Sequence, residues 1–109
     1  MCAIFGIIGK SDIGLLKKMS KCQIYRGPDT QSFYVNKKSR ISLGMNRLAV
    51  IDKKKGNQPM FSYNKRYLLI FNGTIYNFLD LKKFLTKKIK FYTNSDTEVL
   101  VNSFSYWGK

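Results

Sequence analysis

The residue best equipped for covalent chemistry in this 109-residue chain is Cys2. It stands second, directly ahead of the apolar run Ala3-Ile4-Phe5-Gly6-Ile7-Ile8-Gly9. Initiator methionine is usually removed when a small residue follows, and Cys2 then becomes a mature N-terminus carrying both a thiol and a free α-amine. Groups of these two kinds are each partly in their reactive form near neutrality. A nucleophile beside an amine base is one known route to covalent catalysis. The alternative is an incidental cysteine at the head of a buried strand, since cysteine is common in such positions. Histidine is absent, which excludes a Cys–His dyad, a Ser–His–Asp triad and any histidine metal site within the chain. A nucleophile here needs another base, and the α-amine is available.

Composition narrows what else the chain can be. At 109 residues it is at most one domain, long enough to bury a core. A hydrophobic content of 44% with 15% aromatics argues against global disorder. Cys2 and Cys22 cannot make a disulfide framework, and neither has a CxxC neighbour, so no metal is expected. The N-terminal apolar run is short, lacks a basic leader and soon reaches Lys10. It reads as neither a secretory signal nor a membrane span, and a cytoplasmic, reducing location is the expectation. The formal charge of +14 raises nucleic-acid binding. Yet the lysines are spread through 17–21, 37–38, 53–55, 82–83 and 87–90, with no arginine-rich recognition helix and no regular interleaving of aromatic and basic residues. Solvated surface charge is the simpler account, and neither nucleic acid nor membrane is expected as a partner.

Several short elements must position this chemistry. Residues 2–9 predict a strand ended by Gly9. Ser11 or Asp12 can cap a helix to about Cys22, with Leu15, Met19 and Cys22 on its apolar face, which makes Cys22 a core residue. Arg26-Gly27-Pro28-Asp29 predicts a turn, followed by strands over 32–36, 40–44 and 47–51. A polar loop, 52–59, leads to a hairpin of 60–63 and 67–71 around Asn64-Lys65. Its second arm is apolar throughout, as a strand covered on both faces would be. Asn72-Gly73 is a sharp turn and, taken alone, the signature of a simple hairpin. Phe78, Leu81 and Leu85 mark a helical face, and 89–92 a short strand. Ser95-Asp96-Thr97-Glu98 predicts a capping box ahead of a helix with Leu100, Phe104 and Trp107 on one stripe. Grouped strands and helices predict an α+β layered domain.

Six segments in this order resemble the class II glutamine amidotransferases. They are Met1-Cys2-Ala3-Ile4-Phe5-Gly6-Ile7, Arg26-Gly27-Pro28-Asp29, the run from Gly44 to Asp52, Gln58-Pro59, Asn72-Gly73-Thr74-Ile75-Tyr76-Asn77, and the run from Ser95 to Leu100. The second and fifth are similar to the asparagine synthetase type. The resemblance implies an N-terminal-nucleophile (Ntn) hydrolase fold, an αββα sandwich of two antiparallel sheets between layers of helices. It implies hydrolysis of L-glutamine to glutamate and ammonia, with the ammonia passed to a synthetase domain that makes asparagine from aspartate. By the same resemblance Cys2 is the nucleophile, with its own α-amine as base. Asn72, through its side chain, and Gly73, through its N–H, form the oxyanion hole. Arg47 grips the substrate α-carboxylate, backbone groups of Val50 and Ile51 line the pocket, and Asp96 pairs with the α-ammonium. For Asp96 the bland reading is a favourable charge at a helix N-terminus, and the two roles are compatible. Arg26 and Asp29 are expected to brace the turn near the site.

Two departures qualify the resemblance. The family commonly has Glu where this chain has Thr74, and that Glu helps hold substrate, so glutamine affinity is the property at stake. A glutaminase domain of this type also continues past the helix at 95–107, and the synthetase domain is absent, so 1–109 is expected to be an incomplete amidotransferase domain. No cofactor is expected in this chain; ATP and Mg belong to the synthetase domain, which would act in the full-length protein or in trans, in a possible homodimer. Two alternatives stay open. One is an amidotransferase for another acceptor, a sugar or a peptide. The other is a catalytically degenerate fragment that binds glutamine or a partner.

Overall fold

A computed structural model describes residues 1–108. Strand β1 (Ala3–Ile8) leads through Gly9 to α1 (Ile13–Cys22) and a 3-10 turn at Ile24–Arg26. Strands β2 (Thr30–Asn36) and β3 (Ile41–Arg47) follow, then the short β4 (Met60–Phe61) and β5 (Leu68–Leu69), and finally α2 (Phe78–Leu85) and α3 (Asp96–Trp107). The first three strands form an antiparallel sheet in the order β1-β3-β2, and β4 pairs antiparallel with β5. The α+β class expected from sequence is what the chain adopts.

Alternation along β3 sorts the two faces of the sheet. Asn46 faces α1, where its side chain accepts from Ser20 Oγ at 2.5 Å and donates to the Ser20 carbonyl at 2.7 Å. Ser42, four residues earlier on the same face, accepts from the Asp12 N–H at 2.9 Å and donates to the Lys10 carbonyl at 3.1 Å. Phe5 packs across Gly44 on this face, where any Cβ would run into its ring. The opposite face carries Tyr34, which meets Phe61 of β4 edge-on at 5.6 Å. The hairpin in turn packs on α3, and α3 on α2. The layers therefore run α1, three-stranded sheet, hairpin, α3 with α2. An apolar core of Leu85, Ile89 and Val99, flanked by Phe78, Leu81 and Phe91, holds the last two helices together.

Both longer helices bury a different face from the one the apolar residues mark. Asp12 caps α1 as expected, accepting from Leu15 N–H at 2.9 Å. Its buried positions are Leu16 and Ser20, while Leu15 and Cys22 are exposed, so Cys22 is not a core residue. Asn46 makes a serine the better inward residue, by pairing both of its polar groups. In α3 the buried residues are Asp96, Thr97, Glu98, Val99, Val101 and Asn102, whereas Phe104 and Trp107 lie on the outer side. Ser95 caps the helix by accepting from Thr97 N–H. Glu98 does not return to Ser95; it takes the Tyr92 and Thr93 N–H groups at 2.9 and 2.7 Å. That use replaces the strand expected at 89–92, which has no partner strand. The strands expected at 40–44 and 47–51 are one strand ending at Arg47, after which the chain turns into the loop. The second hairpin arm is half-buried rather than covered on both faces. No helix among the described residues is long and apolar enough to cross a membrane.

Candidate active site

The register of the sheet puts the first two functional residues together. Ala3 pairs with Asn46, so one step further the same register sets Cys2 level with Arg47. Both then lie on the face opposite α1. A cavity of about 490 Å³ opens there, and Cys2, Arg47, Val50, Ile51, Asn72, Gly73, Thr74 and Asp96 all line it. Every site residue expected from the sequence thus meets at one place, drawn from the start of β1, the end of β3, the loop after β5 and the N-terminus of α3.

The thiol is held against the first residue beyond β3. Leu48 N–H donates to Cys2 Sγ at 3.4 Å, and Sγ donates to the Leu48 carbonyl at 3.6 Å. The turn from Arg26 to Asp29 supports this corner from outside. Arg26 Nε donates to the Cys2 carbonyl at 3.4 Å, Asp29 N–H donates to the Arg47 carbonyl at 3.0 Å, and Asp29 Oδ2 accepts the Ala49 N–H at 2.8 Å. Gly27 lies flat on β3, where a Cβ would collide with the Asn46 carbonyl and come within 2.6 Å of the Arg47 nitrogen. Only glycine permits that approach. Met1 also lines the cavity and is 74% exposed. While it remains, the Cys2 nitrogen is an amide, and the amine belongs to Met1.

Arg47 is 5% exposed, and its terminal N–H groups are committed to the loop that follows it. Nη1 donates to the Lys53 carbonyl and Asn57 Oδ1 at 3.3 and 3.2 Å; Nη2 donates to the Ile51 and Asp52 carbonyls at 2.7 and 2.9 Å. Gly56 allows the guanidinium in, since a Cβ there would sit 2.6 Å from Nη2. The charge therefore stands in the cavity wall while the donors shape the loop. Asp52 closes that loop with φ of 46°. Its Oδ2 accepts the Asn94 N–H at 2.7 Å and Oδ1 the Lys55 N–H at 3.1 Å. The Asn94 N–H, followed by that of Lys55, holds this carboxyl below the ordinary carboxylate range.

The turn carrying Asn72-Gly73 is clamped at both ends. On one side Gln58, 5% exposed, mimics a strand: its Oε1 accepts the Phe71 N–H at 2.5 Å and its Nε2 donates to the Phe71 carbonyl at 3.1 Å. The same nitrogen donates to Thr97 Oγ1 in α3 at 3.1 Å. On the other side Asp96 Oδ2 accepts the Ile75 N–H at 3.1 Å. Asp96 also occupies the first turn of α3, where a negative charge favours the helix. Between the clamps, Asn72, Gly73 and Thr74 are exposed at the cavity. The segment is a bend between β5 and α2, not a two-residue hairpin. Sequence reasoning did not assign a role to Gln58 or to the side chain of Asp52. The available signals were a lone amide ahead of a proline and an acid at the mouth of a lysine run. Among the described residues no group of three His, Cys, Asp or Glu side chains gathers to hold a metal.

Cys2 and the Asn72-Gly73 bend thus line one cavity of an α+β domain, and comparison with known proteins shows the family of that domain. The chain belongs to the glutamine amidotransferase domain family, whose pattern matches residues 1–109. It is similar to glutamine-hydrolyzing asparagine synthetase 1 of Arabidopsis thaliana, 37% identical over 113 residues covering 99% of this chain and 19% of that protein. It is 33% identical over 115 residues to glutamine-hydrolyzing asparagine synthetase 1 of Bacillus subtilis (strain 168), covering 98% of this chain and 18% of the relative. Glutamine-hydrolyzing asparagine synthetase B of Escherichia coli (strain K12) is 34% identical over 106 residues, covering 93% of this chain and 19% of its own length. The chain spans less than a fifth of the length of these curated relatives.

Proposed function

We propose that this chain is the glutamine-hydrolysing part of a glutamine-dependent asparagine synthetase. The observation that carries the proposal is the single cavity shared by Cys2, the Asn72-Gly73 bend, Arg47 and Asp96. A cation and an anion on one cavity suit the zwitterionic end of an α-amino acid such as L-glutamine. Once Met1 is removed, the Cys2 amine takes the thiol proton and Sγ attacks the side-chain amide carbon. The carbonyl electrons move onto oxygen, where the Asn72 side chain and Gly73 N–H stabilise the negative charge; losing one such donor lowers the rate by about 10²–10³. The ammonium of Cys2 then returns its proton to the leaving nitrogen and ammonia departs, leaving a thioester. Water, deprotonated by the same amine, attacks the thioester carbon and releases glutamate and the free thiol.

The ammonia passes to a synthetase domain, supplied in the full-length protein or in trans, which uses ATP and Mg to convert aspartate to asparagine. The cytoplasm is the setting for this chemistry, and a homodimer is its proposed full-length assembly. Incubation of the Met-free chain with an electrophilic glutamine analogue is expected to place the adduct on Cys2. A folded, Met-free chain that takes no label there refutes the catalytic role. Forced retention of Met1 should abolish ammonia release, because the base becomes an amide.

A second reading, glutamine binding without turnover, draws on two features: Arg47 directs its terminal N–H groups to the loop, and Thr74 replaces the family's usual Glu. Calorimetric glutamine binding with no ammonia released would select it.

A further inference from the structure

A second cavity, of about 630 Å³, opens beside Asp52 and shares no lining residue with the glutamine site. Lys53, Lys54 and Lys55 wall it from the loop, and Lys82 and Lys90 from α2 and the segment after it. The one carboxylate in its lining, Asp52, is already occupied by the N–H groups of Asn94 and Lys55. Other carboxylates of the chain are similarly committed to backbone: Asp29 to Ala49, Asp96 to Ile75, and Glu98 to Tyr92 and Thr93. Among the described residues the only ion pair is Lys10 with Asp12. Five lysines from two distant stretches of chain therefore line one recess that holds a single carboxylate, Asp52. We propose that this recess is a binding site for a compact polyanion of the oligophosphate type.

Three features select that ligand. The volume lies within the range of small-molecule sites, about 300–1,000 Å³. Lysine is a compact point charge with rotatable donors, suited to phosphate oxygens without a required geometry. Lys82 is held in place at the recess, since Nζ donates to the Thr93 carbonyl at 2.8 Å and Asn94 Oδ1 at 2.9 Å, which leaves one N–H for a ligand. Single-stranded nucleic acid fits less well, because it needs open aromatic faces for its bases. Here Lys82 covers one face of the Phe91 ring at 5.5 Å and Lys90 one face of Tyr92 at 5.4 Å, so each ring has at most one face left for a base.

Titration calorimetry of the full chain with inorganic tripolyphosphate, at physiological salt, is expected to show one saturable site. The triple variant Lys53→Ala, Lys54→Ala, Lys90→Ala should weaken it at least about tenfold, as expected for loss of charge-assisted hydrogen bonds. A control removing the same charge from α1, Lys17→Ala, Lys18→Ala, Lys21→Ala, should stay within about twofold of the parent. Equal weakening by both variants would mean diffuse attraction and overturn the site, as would the absence of saturable binding. A single-stranded oligonucleotide of matched phosphate number that binds more tightly overturns the choice of a compact ligand. If the first variant does not fold, amide NMR shifts of the unaltered chain decide. Changes centred on Thr93 and Asn94 support the site, and changes scattered over all lysines refute it.

Discussion

Replacing Gln58 with leucine isolates the role of the clamp behind the Asn72-Gly73 bend. The side chain is buried and makes three hydrogen bonds, two to Phe71 and one to Thr97. Leucine is close in volume, so little cavity forms, and the cost is that of unmade bonds. Each neutral bond contributes about 1 kcal/mol net, and a fully buried orphan costs roughly 1–3 kcal/mol. Phe71 is only half-buried and regains some water, whereas Thr97 is buried and does not. Together these give a loss of about 3 kcal/mol. A chain of this length has about 5–15 kcal/mol in total, so the variant should fold but melt roughly 10–20 °C lower. Glutamine hydrolysis should fall mainly in kcat, because Asn72 and Gly73, the proposed oxyanion donors, lose their placement, while alkylation of Cys2 by iodoacetamide continues at the parent rate. Gln58→Glu should keep the bond to Phe71 N–H and lose stability as pH rises and the buried carboxyl ionises. A Gln58→Leu chain destabilised by less than about 1 kcal/mol, or unchanged in kcat, would refute this account.

Two further outcomes follow from the same corner of the molecule. Gly27→Ala should cost about 3 kcal/mol in urea denaturation, at the upper end for overpacking, because the atoms it meets are backbone of β3 and cannot rotate away. Asp52 makes stability acid-sensitive: its folded-state carboxyl lies below the ordinary range, so its contribution is complete above the unfolded pKa and vanishes as pH falls through the folded one. Below about pH 4 the parent chain should lose stability more steeply than Asp52→Asn, followed by circular dichroism.

What the sequence determined by itself was local or encoded in residue type. The Asp12 and Ser95 caps, the spacing of Phe78, Leu81 and Leu85, and the glycine and proline after Arg26 each act within a few residues, so elements and turns were legible. The lack of histidine leaves the Cys2 thiol, with its own amine once Met1 is removed, as the candidate nucleophile. Tertiary structure decided which faces are buried, because Ser20, Thr97 and Asn102 go inside when partners far along the chain satisfy them. It denied strands to 48–51 and 89–92, where no neighbouring strand is available and the carboxylates of Asp29 and Glu98 take backbone N–H groups instead. It also set the work of Arg47 and Gln58, whose hydrogen-bond partners are chosen by how the loop packs between β3 and α3. Cys2 could be read as a nucleophile from its position; only the register of β1 against β3 sets it beside Arg47 in the cavity it shares with Asn72 and Gly73.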